Sequence, residues 1–114
     1  MNIQTHIASQ LEQHGFTISL GPRLAEKTYD TAVGAKLATV WLSPPNPAST
    51  WRSLNGYYYS EGRNILENCV ELIEADATPA QCISVADKFA LQVEKAVASS
   101  YAVRVHGLCV EKDD

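Results

Sequence analysis

Apolar residues at the start of the chain recur with the spacing of an amphipathic helix. Ile3, Ile7 and Leu11 stand four residues apart, and mostly polar residues lie between them. This spacing places one apolar stripe along a helix. Gly15 can adopt the left-handed conformation that ends a helix, and Phe16 would then pack back on Leu11. The pattern therefore predicts a first helix that stops at Gly15.

Three later segments have the composition of strands. Residues 16–20 alternate between apolar and polar, which predicts a half-buried strand. Residues 37–42 (LATVWL) are almost uniformly apolar, which predicts a strand buried on both faces. Prolines make residues 43–47 a loop, since proline lacks the N–H that a ladder needs. Residues 56–59 (GYYY) predict another strand, in which either Tyr58 or its two tyrosine neighbours face outward.

Residues 22–33 fit two different structures. Pro22 could begin a short helix that Gly34 ends. Alternatively, residues 28–33 form a strand that turns at residues 34–36 into the next strand. The hairpin is slightly favoured, because the residues between positions 28 and 31 are poor helix formers.

The segment before Glu74 carries apolar residues in pairs, separated by one or two polar residues: Ile65-Leu66, Cys69-Val70 and Leu72-Ile73. This spacing fits a helical face better than strict alternation. We predict a helix from about Glu61 to Glu74. A strand over residues 68–73 is the alternative.

A second, longer helix is predicted from Thr78-Pro79 to about Ala98, because a capping hydroxyl followed by proline is a strong start signal. One broad apolar face results at helical spacing, formed by Cys82, Val85, Ala86, Phe89, Ala90, Val93, Ala96 and Val97. Leu91 falls among the polar residues of the opposite face, either as an isolated exposed leucine or as the centre of a homodimer contact.

Alternating apolar residues at Tyr101, Val103 and Val105 predict a closing strand, followed by a charged tail at residues 111–114. Together the elements predict an α+β fold. It has a small, mostly antiparallel sheet of three to five strands packed by two or three helices in a single pair of layers. The length suits one domain, which we place at residues 1–110.

Charge and cysteine content narrow the function classes. The net charge is −4, with 9 basic and 13 acidic residues. This balance disfavours direct binding of nucleic acid or anionic membrane. The start of the chain lacks a secretory signal, and three cysteines without a CxxC spacing do not form a disulfide framework. We therefore expect free thiols and a cytoplasmic location.

The motifs of the common nucleotide, metalloprotease and hydrolase sites are absent from the sequence. His106 and Cys109 are spaced like half of a zinc site, with nothing nearby to complete it. Cys82 near a helix start and the carboxylates Glu67 and Glu71 are better explained by packing and solvation. We predict no catalytic residue, metal or cofactor.

The segment from Trp51 to Arg63 concentrates Trp, Tyr and Arg, the residue types that dominate protein-binding hot spots. It supplies the predicted partner-binding residues Trp51, Arg52, Tyr57, Tyr58, Tyr59 and Arg63. The leading hypothesis is a small non-enzymatic protein-interaction domain that regulates or inhibits a larger protein partner. One example is a phage or mobile-element inhibitor of a nucleic-acid-binding machine. The alternative is a small enzyme or small-molecule binder with a sheet-face pocket of Tyr57, Tyr59, Arg63 and His106.

Overall fold

The computed structural model describes residues 3–19, 23–31, 34–60 and 62–106. The bounds of its elements are α1 Ile3–Gln13, β1 Thr17–Ile18, β2 Arg23–Thr31, β3 Gly34–Leu42, β4 Trp51–Tyr57, β5 Tyr59–Ser60, β6 Arg63–Asn64, β7 Val70–Glu74 and α2 Pro79–His106.

Five of the strands form one antiparallel sheet in the order β1-β2-β3-β4-β7. The short strands β5 and β6 pair separately as a small hairpin. Both helices supply buried residues to one core, which they share with alternate residues of the sheet. The architecture is thus α+β, as the sequence predicts, with one layer of helices on one layer of sheet.

The end of α1 follows the predicted glycine stop. Gly15 has a φ of 91°, the Gly15 N–H donates to the Glu12 carbonyl, and the Phe16 N–H donates to the Leu11 carbonyl at 3.2 Å. These two bonds are the signature of a Schellman cap, which satisfies the last carbonyls of a helix. Phe16 is buried as expected. The strand that follows is shorter than predicted, since β1 covers only Thr17–Ile18.

The second helix begins where the sequence indicates and ends later. Thr78 and Gln81 form a reciprocal cap: the Thr78 N–H donates to Gln81 Oε1 and the Gln81 N–H donates to Thr78 Oγ1. The predicted apolar face is the buried one, and Leu91 lies exposed on the opposite side. The predicted closing strand is wrong, because α2 continues to His106. Within a short stretch of a helix, apolar and polar residues can alternate by chance, and such a stretch then has the pattern of a strand.

The favoured hairpin at residues 28–42 is confirmed, with two corrections. Thr31 pairs with Gly34, so β3 already begins where the turn was predicted. The strand β3 is also buried on one face only, since Ala38, Val40 and Leu42 lie in the core while Leu37 and Trp41 are exposed. An apolar run indicates a buried strand only when a second layer covers its outer face.

The predicted helix over residues 61–74 is wrong, and the alternative strand is close to the structure. The hairpin β5–β6 and a turn through residues 65–68 precede strand β7, Val70–Glu74. Asn64 organises this turn: its Oδ1 accepts from the N–H groups of Tyr58 and Leu66, and its Nδ2 donates to the Gly56 carbonyl. Such side-chain bonds to the backbone compete with helix formation.

Candidate functional site: the open face of the sheet

The helices cover one face of the sheet and leave the other open. Successive strand residues point to opposite faces, and the register identifies the outward set. Thr39 of β3 pairs with Tyr57 of β4, and Trp41 pairs with Asn55, which in turn pairs with Val70 of β7. Large apolar side chains are exposed along this outward set. Several outward positions therefore carry large apolar side chains where a solvated sheet surface usually carries polar ones.

Three aromatic side chains form a contiguous row at one end of this face. The ring centroids of Trp41 and Tyr57 lie 6.2 Å apart with the planes at 83°, an edge-to-face contact. The rings of Tyr57 and Tyr59 lie 6.5 Å apart with the planes at 15°, a stacked contact. Each ring is thereby held by its neighbour while one side remains open to solvent.

The row borders a shallow groove with a volume of about 590 Å³, which we call the aromatic groove. Its lining residues are Leu37, Thr39, Trp41, Tyr57 and Tyr59. Among the described residues, none that lines the groove carries a formal charge. The Trp41 indole N–H donates to Thr39 Oγ1 at 3.3 Å, which helps fix the orientation of the ring. The groove is thus a neutral, aromatic concavity with hydroxyl groups as its polar handles.

The hairpin that follows β4 places Tyr59 beside Tyr57. Tyr58 turns inward and is 5% exposed, whereas Tyr57 and Tyr59 are 36% and 64% exposed. The Ile65 N–H donates to the Tyr58 carbonyl. This bond and the bonds of Asn64 hold the β5–β6 hairpin against the end of β4. Of the two arrangements that alternation allows, the structure has Tyr58 inside and its neighbours outside.

The structure separates the residues that the sequence grouped as one contact segment. Tyr57 and Tyr59 line the aromatic groove, but Trp51 lies at the other end of β4, roughly 20 Å away along the strand. Arg63 is exposed in the β5–β6 hairpin and is not among the groove residues. Arg52 lies on the helix-covered face, opposite Ile73. These positions divide the segment into a groove end and a distant tryptophan.

Arg52 has a local structural partner. Its Nε donates to the Ser43 carbonyl at 2.9 Å, where β3 gives way to the proline-rich loop. Partial burial lowers the pKa of the guanidinium from its usual value. The neighbouring Ser43 hydroxyl also accepts from the Ser53 N–H. Arg52 therefore supports the start of the loop, and neither Arg52 nor the buried Tyr58 belongs to the exposed aromatic row.

Three of the five groove residues were not predicted from the sequence, namely Leu37, Thr39 and Trp41. Their period-2 spacing was present, but the apolar residues between them made the whole strand resemble a doubly buried one. The alternative pocket is brought together in part: Tyr57 and Tyr59 share the groove, whereas Arg63 does not line it. The side chain of His106 lies outside the described part of the structure.

Two of the cysteines are buried, and the carboxylate of Glu71 has partners on α2. Burial raises the pKa of the Cys69 and Cys82 thiols, which disfavours the reactive thiolate. Glu71 faces α2, where Lys88 Nζ lies 3.5 Å from its carboxylate and Gln92 donates to it. Among the described residues, no three His, Cys, Asp or Glu side chains are grouped to hold a metal ion. Cys109 lies outside those residues.

Comparison with known proteins gives no relative on which to base a function. Neither a protein-family model, nor a curated protein sequence, nor a solved structure matches this chain. In the described part of the chain, none of the helices has the length and apolarity to cross a membrane. The open face and its groove are therefore interpreted from their own chemistry.

Proposed function

We propose that this protein is a small, non-enzymatic interaction domain that binds a larger protein partner through the aromatic groove. The observation that carries the proposal is the exposed row of Trp41, Tyr57 and Tyr59 on a sheet face that neither α1 nor α2 covers. Clustered Trp and Tyr side chains with one open side are the residues that most often dominate protein interfaces. Their rings offer a large contact area with few rotatable bonds.

The chemistry of the groove favours an apolar anchor from a protein over a nucleic-acid strand. Aromatic rings could stack on bases, but such sites combine the rings with cations that follow the phosphates. The described part of the groove lining is neutral. Arg23, the residue opposite Trp41 on β2, has Glu26 at 3.9 Å. An aliphatic or proline side chain flanked by backbone acceptors for the tyrosine hydroxyls would complement this surface.

The net charge and the free thiols support a regulatory role and a cytoplasmic location for the proposed domain. The acidic surface, with a net charge of −4, suits a regulator or inhibitor that masks a basic surface of its partner. Cys69 and Cys82 are unpaired, which supports a reducing compartment such as the cytoplasm. Leu91 is exposed on α2, and we leave it outside the proposed contact surface, since single exposed leucines are common on protein surfaces.

Site-specific photocrosslinking tests the proposal directly. A photoreactive phenylalanine derivative is placed at Tyr59, and in a matched variant at Leu91, because these residues are 64% and 61% exposed. The crosslinking is carried out in the cells that produce the protein. We expect the Tyr59 variant to give one protein adduct that the Leu91 variant lacks. Crosslinking to nucleic acid alone, or the same adducts from both positions, would contradict the proposal.

A further inference from the structure

The strand β7 forms one edge of the main sheet. Among the described residues it pairs with β4 alone. The Gly56 N–H donates to the Cys69 carbonyl, and the Ala75 N–H donates to the Thr50 carbonyl, so residues 69 and 75 face β4. In an antiparallel ladder, residues that bond the neighbouring strand alternate with residues whose N–H and C=O point the other way. Val70, Leu72 and Glu74 therefore direct their backbone groups to the open edge.

These outward backbone groups are available to a ligand. Within the described part of the chain, the Val70 and Leu72 backbone groups have no hydrogen-bond partner, and the Glu74 carbonyl accepts from the Ala77 N–H. Exposed edges of this kind are templates for pairing with another chain. The side chains of Val70 and Leu72 are exposed as well. The edge thus offers a row of donors and acceptors beside apolar surface.

A second groove, distinct from the aromatic groove, lies next to this edge. It has a volume of about 240 Å³ and lies between β7 and the first turns of α2. Its lining residues are Trp51, Leu72, Ile73, Glu74, Ala77, Gln81, Ser84 and Val85. A strand added to β7 would place alternate side chains on the helix side of the sheet, next to this groove. The groove would therefore select apolar residues at every second position of the added strand.

The charges around the edge indicate the chemistry of that strand. Glu67, Glu74 and Asp76 are exposed around β7, whereas Glu71 already has Lys88 at 3.5 Å. A second copy of the chain, paired antiparallel about Leu72, would bring Asp76 of one copy beside Glu67 of the other. Like charges disfavour that pairing. A segment with Lys or Arg near its ends would instead be attracted.

We propose that the open edge of β7 binds an extended segment of another protein as an additional strand of the sheet. The segment carries apolar residues at alternate positions for the groove between β7 and α2, and basic residues for the carboxylates that flank β7. Main-chain hydrogen bonds to Val70 and Leu72 supply register, and the alternate side chains supply selectivity. This surface is separate from the aromatic groove, so either proposal can hold without the other.

Proline substitution at Leu72 separates the backbone contribution from the side chain. The Leu72 N–H points away from β4, so proline there removes an edge donor without removing a bond of the β4–β7 ladder. Leu72→Ala keeps that donor and shortens the side chain. Leu91→Ala is the matched control, since Leu91 on α2 is exposed to 61% and Leu72 to 59%.

The ligand is obtained from a displayed library of random nine-residue peptides selected on the wild-type domain. We expect the selected peptides to be enriched in Lys or Arg and in alternating apolar residues. Synthetic copies should bind Leu72→Ala less tightly than wild type and Leu72→Pro at least fivefold more weakly than Leu72→Ala, the effect of about one lost hydrogen bond. Leu91→Ala should bind as wild type does. Binding should weaken between low salt and about 0.5 M salt, because the contribution of the flanking charges is screened.

Amide hydrogen exchange of the wild-type domain with the same peptides gives a readout that does not depend on the folding of Leu72→Pro. We expect added protection at the Val70 and Leu72 amides and little change at β1. Selection of no peptide, protection confined to the aromatic groove, or equal affinity for folded Leu72→Pro and Leu72→Ala would overturn the proposal. So would a wild-type dimer, seen by sedimentation, that Leu72→Pro alone dissociates.

Discussion

His14 and Asp87 join the end of α1 to the N-terminal third of α2, with His14 Nε2 2.7 Å from Asp87 Oδ1. Gln10 donates to the same oxygen at 2.8 Å. The hydrogen bond from His14 and the hydrogen bond from Gln10 lower the pKa of the Asp87 carboxyl. The two helices are therefore connected by one carboxylate that accepts from Gln10 of α1 and from His14, which directly follows α1.

The lowered pKa of Asp87 predicts a pH-dependent contribution to stability. A carboxyl whose folded pKa lies below its unfolded value stabilises the fold above the unfolded pKa of about 4, and the contribution is lost as pH falls through the folded pKa. Asp87→Asn should therefore lower the urea midpoint slightly at pH 7, and its difference from wild type should shrink below pH 4. Urea unfolding of both proteins at pH 7 and pH 3 checks this. A difference that grows on acidification would contradict the assignment.

Gly56 is predicted to resist substitution because of close packing. A Cβ at this position would lie 3.1 Å from Leu66 Cβ and 3.4 Å from Phe89 Cζ. Overpacking of this kind costs about 1–3 kcal/mol. Gly56→Ala should lower the free energy of unfolding by about that amount in urea titrations. The cost should fall in part when Leu66→Ala removes Leu66 Cδ1, which would also lie 3.1 Å from the added Cβ. Strictly additive effects of the two substitutions would show that the Cδ1 contact does not limit the site.

The helix α2 is predicted to be the main support of the core through Phe89. This side chain is fully buried between the helices and the sheet. Phe89→Ala should cost about 3–5 kcal/mol, a large part of a typical stability of about 5–15 kcal/mol. Lys88→Ala, whose ammonium is mostly exposed near Glu71, should cost little. Thermal unfolding compares them, and equal melting temperatures would refute the assigned buried face.

The cysteines are predicted to be free, and two of them to be protected. Cys69 and Cys82 are buried thiols whose pKa burial raises. Both should therefore react slowly with iodoacetamide at pH 8 in the folded protein. In urea without reductant, mass spectrometry should find three labels per chain, which also counts Cys109. Fewer than three labels in freshly purified protein would indicate a disulfide and contradict the prediction.

The parts of the fold that could be predicted from sequence are those set by local signals. Gly15 ends α1 and Thr78-Pro79 begins α2 because caps are decided by a few adjacent residues. The long apolar face of α2 repeats often enough to identify its period. The hairpin β2–β3 could also be predicted from local signals, because its sequence contains more strand-forming residues than helix signals.

The errors arose where distant contacts decide the structure. The paired apolar residues before Glu74 fit a helix, but Asn64 bonds to Gly56 and Tyr58 and directs the chain into a turn and an edge strand. In β3, the outer apolar residues imply burial only if another layer covers them. The aromatic groove could not be foreseen because Trp41 and Tyr57 come together through the register of β3 and β4.

The most direct test of the account is the affinity of the crosslinked partner, purified, for single-residue variants of the groove. Tyr57→Ala and Trp41→Ala should each weaken binding by about thirtyfold or more, equivalent to about 2 kcal/mol, because they truncate central anchors. Leu91→Ala should bind as the wild type does. Isothermal titration calorimetry measures the affinities, and circular dichroism confirms that each variant is folded. Folded Tyr57→Ala and Trp41→Ala variants that bind as tightly as wild type would contradict the assignment of the aromatic groove as the partner-binding site.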